Sequence, residues 1–159
     1  TGHLVLSTLH TNSAVGALTR LHDMGTEPFL LASSLVGVLA QRLVRRLCPH
    51  CRQPVSPDAA LAARLALPLD ELERHTVYEA TGCARCMQIG FRGRTAIYEF
   101  LPVDEVLRTQ IMTNATASVM KRTAVERGMI TLREDGRQKI LAGQTTPDEV
   151  LRVTQLDLD

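Results

Sequence analysis

Cys48-Pro49-His50-Cys51 and Cys83-Ala84-Arg85-Cys86 use all four cysteines of the chain in two CxxC pairs, with 31 residues between the pairs. At this spacing a tight turn aims two sulfurs at one ion. Two such turns complete a tetrahedral four-thiolate shell, the closed form of structural zinc. Three other readings compete. Two disulfides need an oxidising compartment, and no secretory signal is visible in the sequence. A redox site needs only one CxxC pair. Four unrelated core cysteines rarely fall into two equal pairs. His50 stands between two ligands and offers an alternative donor, although an exposed turn residue is the better reading. Four thiolates leave no position for a reactive water, so the expected metal is structural.

A second polar group follows an apolar run. Leu4-Val5-Leu6-Ser7-Thr8-Leu9 is β-prone and nearly unbroken, the pattern of a strand covered on both faces. It stops at His10-Thr11-Asn12-Ser13. In open α/β sheets ligands sit beyond the carboxyl ends of strands, so His10, Thr11 and Asn12 stand where chemistry is expected. Asn12 or Ser13 caps the following helix, with Val15, Leu18, Leu21 and His22 or Met24 on one face. Gly25 closes it.

The elements that must carry these groups read as follows. Pro28 opens a long helix to about residue 47, through Leu30, Leu31, Leu35, Val38, Leu39, Leu43 and Leu47, and runs it into Cys48. Ser56-Pro57-Asp58 starts a short helix to about 66, residues 69–72 add a turn, and residues 76–80 form a short strand. A lobe this small needs a staple, which the metal supplies. Gly90-Phe91-Arg92-Gly93-Arg94 reads as a basic turn, followed by a strand over 95–101. Asp104 caps a helix to about 113, ended by Asn114. Another helix spans about 117–127 and stops at Gly128. Thr131-Leu132-Arg133-Glu134 and Thr146-Pro147-Asp148-Glu149 are capping boxes for two further helices.

Composition sets bounds. The chain has 159 residues, 45% hydrophobic and 22% charged, which is ordinary for a globular protein. Aromatics are 3% with no tryptophan, so the core must be aliphatic. A net charge of +1 gives no global pull toward nucleic acid or anionic lipid, and no aromatic–basic interleaving suits single-stranded nucleic acid. Arg42, Arg45, Arg46, His50 and Arg52 form one local basic cluster. Either it is a solvated helix end favoured by the helix dipole, or it is a face for acidic lipid head groups or an acidic membrane partner. No apolar run reaches the length of a membrane span. The chain opens at Thr1-Gly2 without a methionine, as expected of a piece of something longer.

The string from Thr1 through Gly2-His3-Leu4-Val5-Leu6-Ser7-Thr8-Leu9-His10-Thr11-Asn12 resembles the histidine box of the secretion and type IV pilus ATPases. Ala40-Gln41-Arg42-Leu43, the two CxxC pairs, and Gly90-Phe91-Arg92-Gly93-Arg94 running into Ile97-Tyr98-Glu99 follow in that family's order. Residues 13–21 and 149–154 look most like its type II secretion members. Pilus-assembly members also carry a cysteine lobe and come second. Retraction members lack the lobe. A non-catalytic zinc-stapled interaction module is the reading from a different class, against which the buried strand with polar residues at its end argues.

The resemblance implies an α/β fold, the carboxyl-terminal part of a RecA-like P-loop ATPase domain with an inserted tetracysteine zinc lobe and a carboxyl-terminal helical bundle. The corresponding divisions are 1–47 for the core with its histidine box and long helix, 48–86 for the zinc lobe, 87–103 for a return strand and 104–159 for a helical subdomain. It implies a hexameric motor at the cytoplasmic face of the inner membrane, using ATP and Mg²⁺, partnered by inner-membrane secretion platform proteins and driving pseudopilus assembly. Contact with nucleic acid is not expected. No G-x-x-x-x-G-K-[ST] occurs in the 159 residues. In the family the phosphate loop, acidic boxes and arginine fingers lie upstream, so the chain alone is expected to be inactive. Within the resemblance, His10 lies near the γ-phosphate. His3, seven residues earlier and roughly 23 Å away along an extended strand, is a weaker candidate for a direct role. Thr11 and Asn12 either touch phosphate or cap. Arg94 lies near the nucleotide or pairs with an acidic neighbour. His22 and His75 read as ordinary surface residues. The basic residues Arg42, Arg45, Arg46 and Arg52 are the candidates for an anionic lipid surface.

Overall fold

The computed structural model describes residues 2–154. Thr1 of the histidine box and residues 155–159 at the end of the expected helical subdomain lie outside the described residues. The element order is α1 (Ala14–Asp23), α2 (Pro28–Ser34), β1 (Gly37–Leu47), β2 (Gln53–Val55), α3 (Ala59–Leu65), α4 (Leu69–Leu72), β3 (Val77–Glu79), a 3-10 turn at Ala84–Cys86, β4 (Phe91–Pro102), α5 (Glu105–Met112), α6 (Ala117–Glu126), α7 (Leu132–Leu141) and α8 (Pro147–Thr154). β1 pairs with β4, and β2 pairs with β3.

The chain forms two compact units. Of the described residues, the first comprises 2–40 with Glu99–Met129, and the second Gln41–Tyr98 with 130–154. α5 and α6 therefore belong to the first unit and α7 and α8 to the second.

In the first unit α2 packs on α5, and α1 packs on α2 and α6. Most of the buried side chains are apolar, including Val15, Leu18, Leu31, Leu101, Leu107, Ile111 and Met120. The caps follow the sequence. Ser13 accepts from the Gly16 N–H at 3.1 Å, and Asp104 accepts from the Leu107 N–H at 3.0 Å. Asn114 and Gly128 take left-handed conformations after α5 and α6.

In the second unit α7 packs on α8 and on β3, around Val44, Leu72, Val77, Ile97, Leu132 and Ile140. α7 and α8 meet at Gly136, where an added Cβ would lie 2.4 Å from Val150 Cγ1. Only glycine permits that approach. The register of the β2–β3 hairpin is antiparallel, with Gln53 opposite Glu79 and Val55 opposite Val77. Thr131 and Glu134 form the full capping box of α7, each accepting the other's backbone N–H.

Four expectations are corrected. Leu4–Leu9 is not a strand. It has no regular structure, and Leu4, Val5 and Leu6 are 77, 80 and 87% exposed. A buried strand needs neighbours on both sides, and among the described residues no strand lies beside this run. The long helix over 28–47 is also absent: α2 ends at Ser34 and β1 begins at Gly37. Gly37 and the β-branched Val36, Val38 and Val44 favour the strand. The apolar period misled because Ala40, Val44 and Leu47 are buried at the i, i+4, i+7 spacing of a helix. In β1 the same spacing means that the inward face changes parity between Val44 and Leu47. The segment that carries the cysteines is thus entered from a strand. Of the expected turn at 90–94, only Gly90 precedes β4, which starts at Phe91. The capping box at 146–149 is half formed, with the Glu149 N–H donating to Thr146 Oγ1 at 3.4 Å while the carboxylate serves arginines.

Candidate metal centre

All four cysteines converge. β1 delivers Cys48, whose N–H donates to the Gly90 carbonyl at 2.9 Å. The N–H groups of Cys51 and Arg52 turn back on the Cys48 carbonyl at 3.3 and 3.1 Å, closing the first knuckle. The second knuckle is the 3-10 turn, where the N–H groups of Cys86 and Gln88 donate to the Cys83 carbonyl at 3.1 and 2.9 Å. Gly82 enters it at φ +113, and an added Cβ there would stand 2.6 Å from the Gln88 carbonyl oxygen. The hydroxyl of Thr81 donates to the Cys51 carbonyl and joins the two knuckles.

Three of the sulfur separations come close to the edges of a zinc tetrahedron. Cys48 and Cys83 Sγ are 4.0 Å apart, while the Cys51–Cys86 and Cys83–Cys86 separations are both 3.8 Å. All four sulfurs lie within 4.8 Å of one another. A tetrahedron with Zn–S bonds of about 2.3 Å has edges of about 3.8 Å. Disulfides, at about 2.05 Å, are absent from the cluster, and the four thiols are unpaired. Cys48, Cys51 and Cys86 are buried together with the half-buried Cys83 packed on them.

Electrostatics favour charge on Cys86. Burial works to raise its thiol, but the N–H groups of Cys83 and Gly90, each 3.2 Å from the sulfur, overcome this and lower it to about 6. Burial pushes the Cys51 thiol up to about 11, against a donor from Gly82. N–H groups aimed at sulfur are the outer-shell support a metal thiolate needs. His50 is exposed and stands outside the ligand group, with both ring nitrogens 3.1 Å from Arg85 Nη1.

The other candidates lie outside the four-cysteine group. His3 and His10 are exposed in the irregular stretch before α1, so His10 does not end a strand. The Thr11 hydroxyl donates to the Ser13 carbonyl at 3.2 Å, and Asn12 is exposed. These four belong to the first unit, whereas Arg94, exposed on β4, belongs to the second. His22 and His75 are exposed. The basic cluster lies on β1 and the knuckle rather than at a helix end, so the dipole reading lapses. Arg45 pairs with Glu149 at 2.7 Å, its guanidinium 4.1 Å over the Phe91 ring. Arg52 donates to the Gly143 carbonyl at 2.5 Å and stacks 4.3 Å over Tyr78.

Two carboxylates escaped the sequence reading. The Glu149 carboxylate, expected to complete a capping box, serves Arg45 and Arg152 instead. Glu99 is buried on β4, where its carboxylate accepts the Ala14 N–H. The signal for Glu99 was present: alternation puts it on the face of Ile97 and Leu101.

Fold and site together define an α/β protein whose four cysteines are grouped as a single metal ion could hold them. A family model described as Type II/IV secretion system protein matches residues 1–152, and the chain belongs to that family. This bears out the resemblance carried by the histidine box, the CxxC pairs and the Gly90–Glu99 string. The chain is 54% identical to the Type II secretion system protein E of Pseudomonas aeruginosa, over 98% of the chain and 30% of that protein. It is 49% identical to the Type II secretion system ATPase E of Vibrio cholerae, over 98% of the chain and 30% of the relative. Identity to the Type IV pilus assembly ATPase PilB of Thermus thermophilus is also 49%, over 97% of the chain and 17% of the relative. The chain thus spans less than a third of the length of these relatives.

Proposed function

We propose that this chain is the second half of the motor domain of an ATPase that powers pseudopilus assembly and protein export in type II secretion. The observation that carries the reading is the family match over residues 1–152, together with 54% identity to a type II secretion protein E. In this reading the domain is RecA-like with its P-loop upstream. The motor is a hexamer at the cytoplasmic face of the inner membrane, held by platform proteins of the secretion machinery. ATP and Mg²⁺ are its substrate and cofactor. His10, with His3 in a lesser role, serves the γ-phosphate, while Thr11, Asn12 and Arg94 contact the nucleotide.

Zinc is the metal proposed for Cys48, Cys51, Cys83 and Cys86, on the fit of their separations to a tetrahedral ZnS₄ site. Bound there, it supplies a structural cross-link. The chain's residues do the rest: Thr81 joins the knuckles, and Cys83 and Gly90 N–H groups hold the Cys86 sulfur. No catalytic step passes through the centre.

A pilus-assembly motor is the second reading, favoured by 49% identity to the Thermus relative. The test uses the full-length protein. His10→Ala should cut ATP turnover by about 10² to 10⁴, with zinc content and melting temperature unchanged. In cells, loss of exoprotein export identifies the secretion motor, and loss of pili with export intact identifies the pilus motor. Full turnover in the variant overturns the role of His10. No ATP turnover in the full-length wild-type protein leaves only a zinc-stapled interaction module.

A further inference from the structure

One carboxylate stands where its strand should carry an apolar side chain. Along β4 and just beyond it, Ile97, Glu99, Leu101 and Val103 point inward with exposures of 0, 2, 0 and 4%, while Tyr98, Phe100 and Pro102 are exposed. Burying a carboxylate costs free energy unless donors meet it. Here the backbone N–H of Ala14 donates to Glu99 Oε1 at 2.8 Å, across 85 residues of sequence. Ala14 is the first residue of α1, a ten-residue helix whose amino-terminal N–H groups carry partial positive charge.

The local requirement of α1 is already met in part without Glu99. Ser13 caps the Gly16 N–H at 3.1 Å. An apolar residue at 99 would continue the inward face at no desolvation cost. What a carboxylate adds is position: it ties the start of α1, and with it the polar turn before Ala14, to one point on β4.

We propose that Glu99 is a positioning residue for the histidine box, fixing where His10, Thr11 and Asn12 stand by anchoring the first turn of α1. This rests on the reading of His10 as a nucleotide-facing residue. The role differs from general stability because it should appear in turnover more than in nucleotide affinity. Misplacing a reacting group by about 1 Å costs up to about a hundredfold in rate.

Glu99→Ala and Glu99→Gln are compared with His10→Ala in the full-length protein, reading kcat, KM for ATP and amide exchange at Ala14 and Gly16. Glu99→Ala should speed exchange at Ala14 and lower kcat about tenfold or more, with KM changed less than about twofold. Glu99→Gln keeps an acceptor oxygen and should restore most of both, which also covers the case in which the alanine variant fails to fold. The double variant with His10→Ala should lose little beyond His10→Ala alone. A normal kcat per folded molecule in Glu99→Ala, when His10→Ala is impaired, overturns the positioning role. So does a glutamine variant no better than alanine. Normal kcat in both single variants, with Ala14 exchange still accelerated, overturns the nucleotide reading of His10 and leaves Glu99 as the anchor of α1.

Discussion

Arg45 holds the Glu149 carboxylate twice, through its backbone N–H at 3.0 Å and through Nη2 at 2.7 Å, across 104 positions of sequence. Arg152 adds Nη2 at 3.1 Å from the next turn of α8. The Thr145 hydroxyl donates to the Arg45 carbonyl at 2.8 Å, so the start of α8 and the end of β1 are bound from both sides. The pair gives the second unit a cross-link that does not depend on metal.

Burial works to raise the Glu149 carboxyl, and its arginine donors overcome it, leaving it at about 2 against an ordinary 4.5. A carboxyl depressed on folding stabilises above its unfolded pKa and loses that contribution as pH falls through the folded one. Stability of the wild-type chain should therefore drop as pH falls from about 4.5 to about 2, by about 2–3 kcal/mol from this group. Glu149→Gln should lower stability by a similar amount at pH 7 and flatten the acid limb. Urea unfolding across this range measures both.

The tetrathiolate geometry predicts about one equivalent of zinc per chain in protein purified without added metal. Cys86→Ser should reduce this to near zero. Chelation should disorder both knuckles and change the near-ultraviolet circular dichroism of Tyr78, which lies on β3 close in sequence to the second knuckle. The helices of the first unit should keep their far-ultraviolet signal. Retention of stoichiometric zinc in the serine variant would remove the assignment.

Gly136 and Val150 leave no room for a side chain between α7 and α8. Gly136→Ala should destabilise by about 1–3 kcal/mol through overpacking, despite alanine's better helix propensity. Adding Val150→Ala should recover part of that loss. A thermal-melt double-mutant cycle reads the coupling.

The arginines near the first knuckle should separate in experiment. Arg52 is committed to the Gly143 carbonyl and the Tyr78 ring, so Arg52→Ser should lower stability by about 1 kcal/mol. Arg46, exposed on β1, should leave stability unchanged when replaced by serine. If an anionic surface is met here, co-sedimentation of full-length protein with acidic vesicles should weaken in Arg46→Ser and at higher salt. Binding indifferent to both would discard the lipid face.

Since no phosphate loop occurs in its 159 residues, the chain by itself should not turn over ATP. Phosphate release measured with and without Mg²⁺ checks this. Magnesium-dependent turnover would contradict it.

What the sequence determined by itself was local chemistry. Ser13, Asp58, Asp104 and Thr131 accept backbone N–H groups three residues ahead, so each cap is legible within four letters. The CxxC pairs are similar: each knuckle closes on its own carbonyl, and the spacing alone aims the sulfurs. The tertiary structure decided everything that depends on distant partners. Ala40, Val44 and Leu47 satisfy a helix period, yet β1 exists because β4, more than forty residues on, pairs with it. Leu4–Leu9 has the composition of a buried strand, but composition supplies no neighbour to bury it. Alternation along β4 puts Glu99 on the inward face and the capping pattern offers Glu149 as a cap, but neither names the donor that meets the carboxylate. Only folding brings the Ala14 N–H to one and Arg45 to the other, because a buried carboxylate is tolerated where remote donors arrive to meet it.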